Sequence, residues 1–199
     1  MEFHNFLRSR RSIRHFKQDE VSNSAIQRIL TTATYAPSAH GRQPWRFCVL
    51  QNRDAKSRLA NAMAAEFLND LIRDNLSVED RNARIEQSRL RITSSPIVII
   101  LCMDVSDMDV YADARRCDAE RIMAIQSAAA AGLQLLLAAH AEGLASVWNC
   151  GPLFAPDAVR RALHLDDSWE PQAMFFIGYP DQPPRPKVLR PLESLVRML

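Results

Sequence analysis

The apolar positions of this chain fall into helical and strand periods that alternate along its length. Ser22 or Ser24 can cap a helix in which Ile26, Ile29, Leu30 and Ala33 recur at helical spacing, and which must stop before Pro37. Leu59, Met63 and Phe67 repeat every fourth residue, so an amphipathic helix is expected from Asp54 to about Asp74. A second helix follows from about Val78 to Thr93. Ile85 and Ile92 mark one side of it, and Arg81, Arg84, Glu86, Arg89 and Arg91 are expected to form a solvated face. Pro96 introduces Ile97 to Cys102, a continuous apolar run of the kind found in a strand covered on both faces. Shorter apolar runs at Phe47 to Leu50, Ala145 to Trp148 and Ala173 to Ile177 read as further strands. Pro156, at a first helical turn, starts a helix through Leu163.

The segment from about Asp118 to His140 breaks the amphipathic rule. Met123, Ala124, Ser127, Ala128, Ala131, Leu135 and Ala138 put small or apolar residues on several of its faces, so it is expected to be buried nearly all round. In a chain of this size such a helix predicts the centre of a helical layer, shared with a second subunit. Helices alternating with few strands predict an α+β layer arrangement. The proline-rich tail from Pro180 to Leu199 reads as an arm ending in a possible short helix.

Composition narrows the function. The 199 residues suit one domain, and 47% apolar content supplies a full core. With 25 Lys plus Arg against 23 Asp plus Glu, the net charge of +2 gives no reason to expect a nucleic-acid binder. Cys48, Cys102, Cys117 and Cys150 stand far apart and form no C-x-x-C pair, which argues against both a zinc site and a disulfide framework and for a reduced cytoplasm. The start of the chain is not patterned as a signal peptide, and no segment is expected to reach the roughly 20 apolar residues that cross a bilayer. The five glycines never stand as G-x-G, so no dinucleotide fingerprint or phosphate loop is present, and G-x-S-x-G and H-E-x-x-H are absent too. No metal site is expected.

Any phosphate must therefore be held by side chains. Ser9 to Phe16 places Arg10, Arg11 and Arg14 around Ser12. On a helix start or tight turn, Arg10 and Arg14 would share a face. Crowded guanidiniums repel unless an anion joins them, and their forks match phosphate oxygens two at a time. The competing reading is a solvated basic terminus. A second basic group, Arg185, Lys187 and Arg190, lies in the tail, and one dianionic phosphate bound by both would explain why the two coexist. Between them, the loop from Ala36 to Phe47 holds a serine, a histidine, a glutamine and two arginines between prolines, chemistry that fixed loops tend to present. His140 is read as a helix C-terminal cap that favours the dipole, Cys150 as packing, and Trp45 and Trp148 as core or ring-edge residues.

Three of these stretches together resemble the FMN-dependent nitroreductase family. They are Arg10-Arg-Ser-Ile-Arg-His-Phe, the loop Ala36-Pro-Ser-Ala-His-Gly-Arg-Gln-Pro-Trp-Arg-Phe, and Gly143-Leu-Ala-Ser-Val-Trp, in matching order from Leu7 to about Pro191. The run from Trp148 to Asp157, with Trp169-Glu-Pro-Gln and Ile177-Gly-Tyr-Pro, is similar to a subgroup that includes the flavin domain of a bifunctional enzyme of deazaflavin-coenzyme biosynthesis. The resemblance implies a three-layer α+β sandwich with a mixed antiparallel sheet. It also implies a homodimer with two FMN sites at the interface and a long helix in the dimer core.

Carried over by position, Arg10, Arg11, Ser12 and Arg14 would hold the FMN phosphate, ribityl chain and pyrimidine edge, with Lys187 and Arg190 completing the phosphate site. Pro37, Ser38 and Ala39 would reach the flavin of the other subunit, with His40 and Gly41 on the substrate side. The loop Asn149 to Leu153 would lie along the ring. Pro152 has no N–H, so the donor to the reactive flavin nitrogen would be Cys150 or Gly151. Arg89 or Arg91 would approach the flavin carbonyl. Many members carry Asn where this chain has Gly41. The implied activity is transfer of hydride from NADH or NADPH to nitro, quinone or enone-like acceptors by a ping-pong mechanism, with chemistry carried by the flavin and no side-chain catalyst. A deazaflavin-precursor reductase and a non-catalytic flavin-binding module are the alternatives.

Overall fold

The computed structural model describes residues 2–106 and 108–199. Four strands form its sheet: β1 (Trp45–Leu50), β2 (Ile97–Asp104), β3 (Ala145–Asn149) and β4 (Trp169–Gly178). They lie in the order β1-β2-β4-β3, and every neighbouring pair is antiparallel. All eight residues of β2 are buried because helices cover both faces of the sheet. Side chains alternate across a strand. Ile97, Ile99, Leu101 and Met103 therefore pack under α2 (Asn23–Ala33) and α5 (Ala114–Ala141), while Val98, Ile100 and Cys102 pack under α3 (Arg53–Arg73), α4 (Val78–Ser94) and α6 (Pro156–Leu163). The result is the expected three-layer sandwich.

Local chemistry sets the element ends. The side chains of Ser22, Asn52 and Ser77 accept the backbone N–H groups of Ala25, Ala55 and Asp80 and so cap α2, α3 and α4. Pro171 made the start of β4 unreadable, since proline has no place in a central ladder. The strand tolerates it at a register irregularity beside Leu101 and Cys102, and pairing continues to Trp169.

Three expectations are corrected. A short helix, α1 (Phe3–Ser9), precedes the arginine stretch and ends before Arg10, whose φ of −57° and ψ of 135° are extended. Arg10 and Arg14 are therefore not on one helical turn, and of the two only Arg10 is partly buried. The central helix α5 begins at Ala114, where the Asp113 carboxylate accepts the Arg116 N–H, and it is not buried all round. Ile122, Ile125, Gln126, Ala129 and Leu133 form an exposed stripe along it. By length and composition the same helix is apolar enough to cross a bilayer, but half of its most apolar stretch is buried within the fold, as in the core helix of a sandwich.

Candidate functional site

The arginine stretch lies along the free edge of β3. Ser12 bridges Ser146, and the Ile13 N–H donates to the Ser146 carbonyl at 3.2 Å. Farther on, the Lys17 N–H donates to Tyr179 O at 2.9 Å. This pinning turns Arg10 inward. Its Nη1 is buried and has no hydrogen-bond partner among the described residues. Burial and the neighbouring Arg11 charge lower the Arg10 pKa, so the folded chain holds this cation at a cost. Arg11 instead folds back on the backbone, donating to the Arg8 and Arg10 carbonyls. Ser12 and Arg14 stay exposed.

His140, in the last turn of α5, closes the inner side of this cluster. Its Nε2 lies 2.7 Å from Ser9 Oγ and its ring 5.0 Å from that of Phe6. Burial, then the Arg10 charge, lowers its pKa below the usual imidazole value. It does sit in the last turn of α5, where the sequence placed a dipole-favouring residue, but burial and then the arginine beside it favour the neutral ring and so weaken that role.

From Ser146, β3 runs three residues to Asn149, about 10 Å at the usual strand rise. There the chain turns sharply. Asn149 Oδ1 accepts the Gly151 N–H at 2.7 Å, and the Trp148 indole N–H donates to Cys150 Sγ at 3.1 Å. The Gly151 amide is therefore occupied, whereas the Cys150 amide has no partner among the described residues. A Cβ at position 151 would lie 2.8 Å from Asn149 Oδ1 and 3.1 Å from Met63 Cε, so a side chain there would have to displace the Asn149 amide that holds the turn.

Behind the turn, between α3, α4 and β4, is a cavity of about 540 Å³. Met63, Phe67, Met174 and Phe176 make it apolar, and Asn149 and Gly151 stand at one end. Glu66 and Asp70 of α3 and Asp74 at its C-cap, four residues apart, line one wall, and Arg84, Gln87, Ser88 and Arg91 of α4 line another. Of the two α4 arginines proposed from sequence, Arg91 reaches this cavity, while Arg89 turns away and donates to Asn61. The acidic residues of α3 were missed as site residues, although their four-residue spacing was legible.

The loop from Pro37 to Gly41 lies on the other side of the sheet. Ala36 and Ala39 belong to the core under α2 and α5, and the Ala39 N–H donates to Ser127 Oγ of α5 at 3.1 Å. Ser38 Oγ accepts the Gln43 N–H at 3.1 Å. His40, Gly41 and Gln43 all have positive φ, 53°, 67° and 51°. Position 41 thus needs a left-handed backbone, which glycine supplies freely and asparagine also tolerates. Within one chain this loop and the cavity are separated by the sheet. Lys187 and Arg190 lie on an exposed arm and make no hydrogen bond or ion pair among the described residues. Cys48 and Cys102 face the interior; burial, with Cys48 adding to it, pushes the Cys102 thiol up to about 12, so neither is a nucleophile.

The α+β sandwich thus carries a partly buried guanidinium beside the edge of β3 and a cavity with an apolar floor near the end of the same strand. The chain belongs to the nitroreductase family, which matches residues 7–179. It is 30% identical over 188 residues to YfhC of Bacillus subtilis, which carries the name of an NAD(P)H nitroreductase, covering 94% of this chain and 89% of the relative. It is also 30% identical over 212 residues to an NADH dehydrogenase of Thermus thermophilus, covering 94% and 91%. In fold it is similar to a BluB-like flavoprotein from Clostridium difficile, with a TM-score of 0.82, 22% identity and coverage of 100% and 99%. A structure from Desulfovibrio desulfuricans in complex with FMN matches with a TM-score of 0.76, 25% identity and coverage of 100% and 97%.

Proposed function

We propose that this chain is an FMN-dependent oxidoreductase that passes hydride from NADH or NADPH to nitro, quinone or enone-like acceptors, working as a homodimer in the cytoplasm. The observation that carries the reading is the buried Arg10 Nη1, a charged donor with no partner beside a second arginine. A buried donor without a partner is costly, and a phosphate oxygen would satisfy it. Arg10, Ser12 and Arg14 would hold the FMN phosphate, and Asn149, Cys150 and Gly151 the ring. Arg91 would face the ring carbonyls. Bound FMN supplies the two-electron chemistry that no side chain here provides.

The chain's own part is positioning and polarity. The free Cys150 amide would donate to the reactive ring nitrogen. Arg91 supplies positive potential where negative charge gathers on reduction. The apolar floor of Met63, Phe67, Met174 and Phe176 would shield one face of the ring from water. Donor and acceptor would occupy the same face in turn, which gives ping-pong kinetics.

The separation of the two half-sites supports the dimer. Pro37, Ser38 and Ala39 lie across the sheet from the cavity, so if they contact a flavin it would be that of a second copy. The apolar stripe Ile122, Ile125, Ala129 and Leu133 of α5 offers the face for that copy. The exposed arm, with Val188, Leu189 and Leu192 bare, would carry Lys187 and Arg190 toward a phosphate. We read residues 1–199 as one domain with this arm from about 180. The sequence from Trp148 to Asp157 favours a second acceptor class for the same site, an unsaturated intermediate of deazaflavin-coenzyme biosynthesis.

The test is the absorption spectrum of the purified protein, followed anaerobically as NADH and then NADPH are added. A yellow protein bleached by either donor is expected. A colourless protein that takes up no added FMN refutes the reading.

A further inference from the structure

A cluster away from the cavity brings three potential metal ligands together. His40 from the proline-bounded loop, Asp109 from the segment before α5, and Glu120 from the start of α5 each offer one ligand atom, all within 4.8 Å of one another. His40 Nε2 and Glu120 Oε1 are 3.4 Å apart. Glu120 is only 4% exposed, and its Oε2 has no hydrogen-bond partner among the described residues. Burying a carboxylate with a bare oxygen is unfavourable unless something cationic meets it. Arg42 pairs with Asp109, with Nη2 2.5 Å from Oδ1.

We propose that His40, Asp109 and Glu120 form a binding site for a divalent transition ion, Zn²⁺ being the reference case. Zinc–nitrogen and zinc–oxygen bonds of about 2.1 Å place two ligands about 3.4 Å apart in a tetrahedron, the separation His40 and Glu120 already have. Asp109 completes the set when it gives up Arg42. One imidazole and two carboxylates suit Zn²⁺ or Mn²⁺ better than Ca²⁺, which takes oxygen ligands alone. The left-handed backbone of His40, with φ of 53°, fits this role, because a non-glycine residue is held there only when its surroundings fix it. The side chains of His40 and Asp109 are 45% and 35% exposed, so the ion would keep an open side toward solvent. The sequence expected no metal because the ligands come from three separate segments with no motif spacing.

The test uses the full-length, tag-free protein, stripped with a chelator and titrated with ZnCl₂ by calorimetry, with metal content measured after gel filtration. One Zn²⁺ per chain is expected. His40→Gln and Glu120→Gln should each lose it, and Arg42→Ala should bind Zn²⁺ more tightly because Asp109 is released. A His40–Glu120 pair serving structure alone would not give that gain. Glu120 is buried, so if Glu120→Gln does not fold, the half-exposed His40→Gln decides. No stoichiometric Zn²⁺ in the wild type, or undiminished binding in His40→Gln, overturns the proposal. Unchanged affinity in Arg42→Ala overturns the three-ligand assignment.

Discussion

Replacing Arg10 with alanine should move two measurements in opposite directions. In the cofactor-free protein the guanidinium is a liability, since its Nη1 is buried without a partner and Arg11 repels it. An unsatisfied buried donor costs about 1–3 kcal/mol, while the aliphatic stem returns part of that through packing. The apo variant should therefore match or exceed the wild type in stability. A gain of 1 kcal/mol would raise Tm by about 2–4 °C at this size. Binding should respond the other way. A hydrogen bond to a charged group is worth about 1.5–3 kcal/mol, so losing the Arg10 contact to phosphate should weaken FMN binding about 10- to 150-fold. Quenching of FMN fluorescence on titration with apoprotein gives the Kd, and circular dichroism gives Tm. Adding Arg14→Ala should leave the purified protein colourless. An Arg10→Ala protein with a lower apo Tm and unchanged FMN affinity would refute the reasoning, because the arginine would then be structural.

Three further outcomes follow from the same geometry. Cys150 acts through its amide, so Cys150→Ala should keep the rate of flavin reduction, whereas Cys150→Pro, which deletes the N–H, should slow it by about tenfold or more, measured by stopped-flow absorbance. Gly132→Ala would put a Cβ 2.5 Å from Cζ3 of Trp148 and 3.0 Å from Phe175 Cζ, so urea denaturation should show a loss of about 1–3 kcal/mol from overpacking. His140 has its folded-state pKa lowered, by burial first and Arg10 second. The neutral ring therefore adds stability above the unfolded pKa of about 6.5, and that stability is lost as pH falls through the lower folded value. His140→Gln should flatten the decline in Tm between pH 7 and 5; an unchanged decline would exonerate His140.

What the sequence determined was largely what short-range chemistry controls. Caps at Ser22, a proline at 156 and the apolar run after Pro96 located α2, α6 and β2, because capping, fixed φ and burial periodicity act within a few residues. Three motifs in order identified the family, since each carries local backbone chemistry. Tertiary structure decided what depends on distant neighbours. β4 runs through Pro171 only because an irregularity opposite Cys102 accommodates it. Pinning to Ser146 made the arginine stretch extended rather than helical, and so chose which guanidinium is buried. The turn at Gly151 selected Cys150 as the free amide, and helix packing selected Arg91 over Arg89. Glu120 became a candidate ligand only when the fold brought His40 and Asp109 to it, across separations that no local pattern encodes.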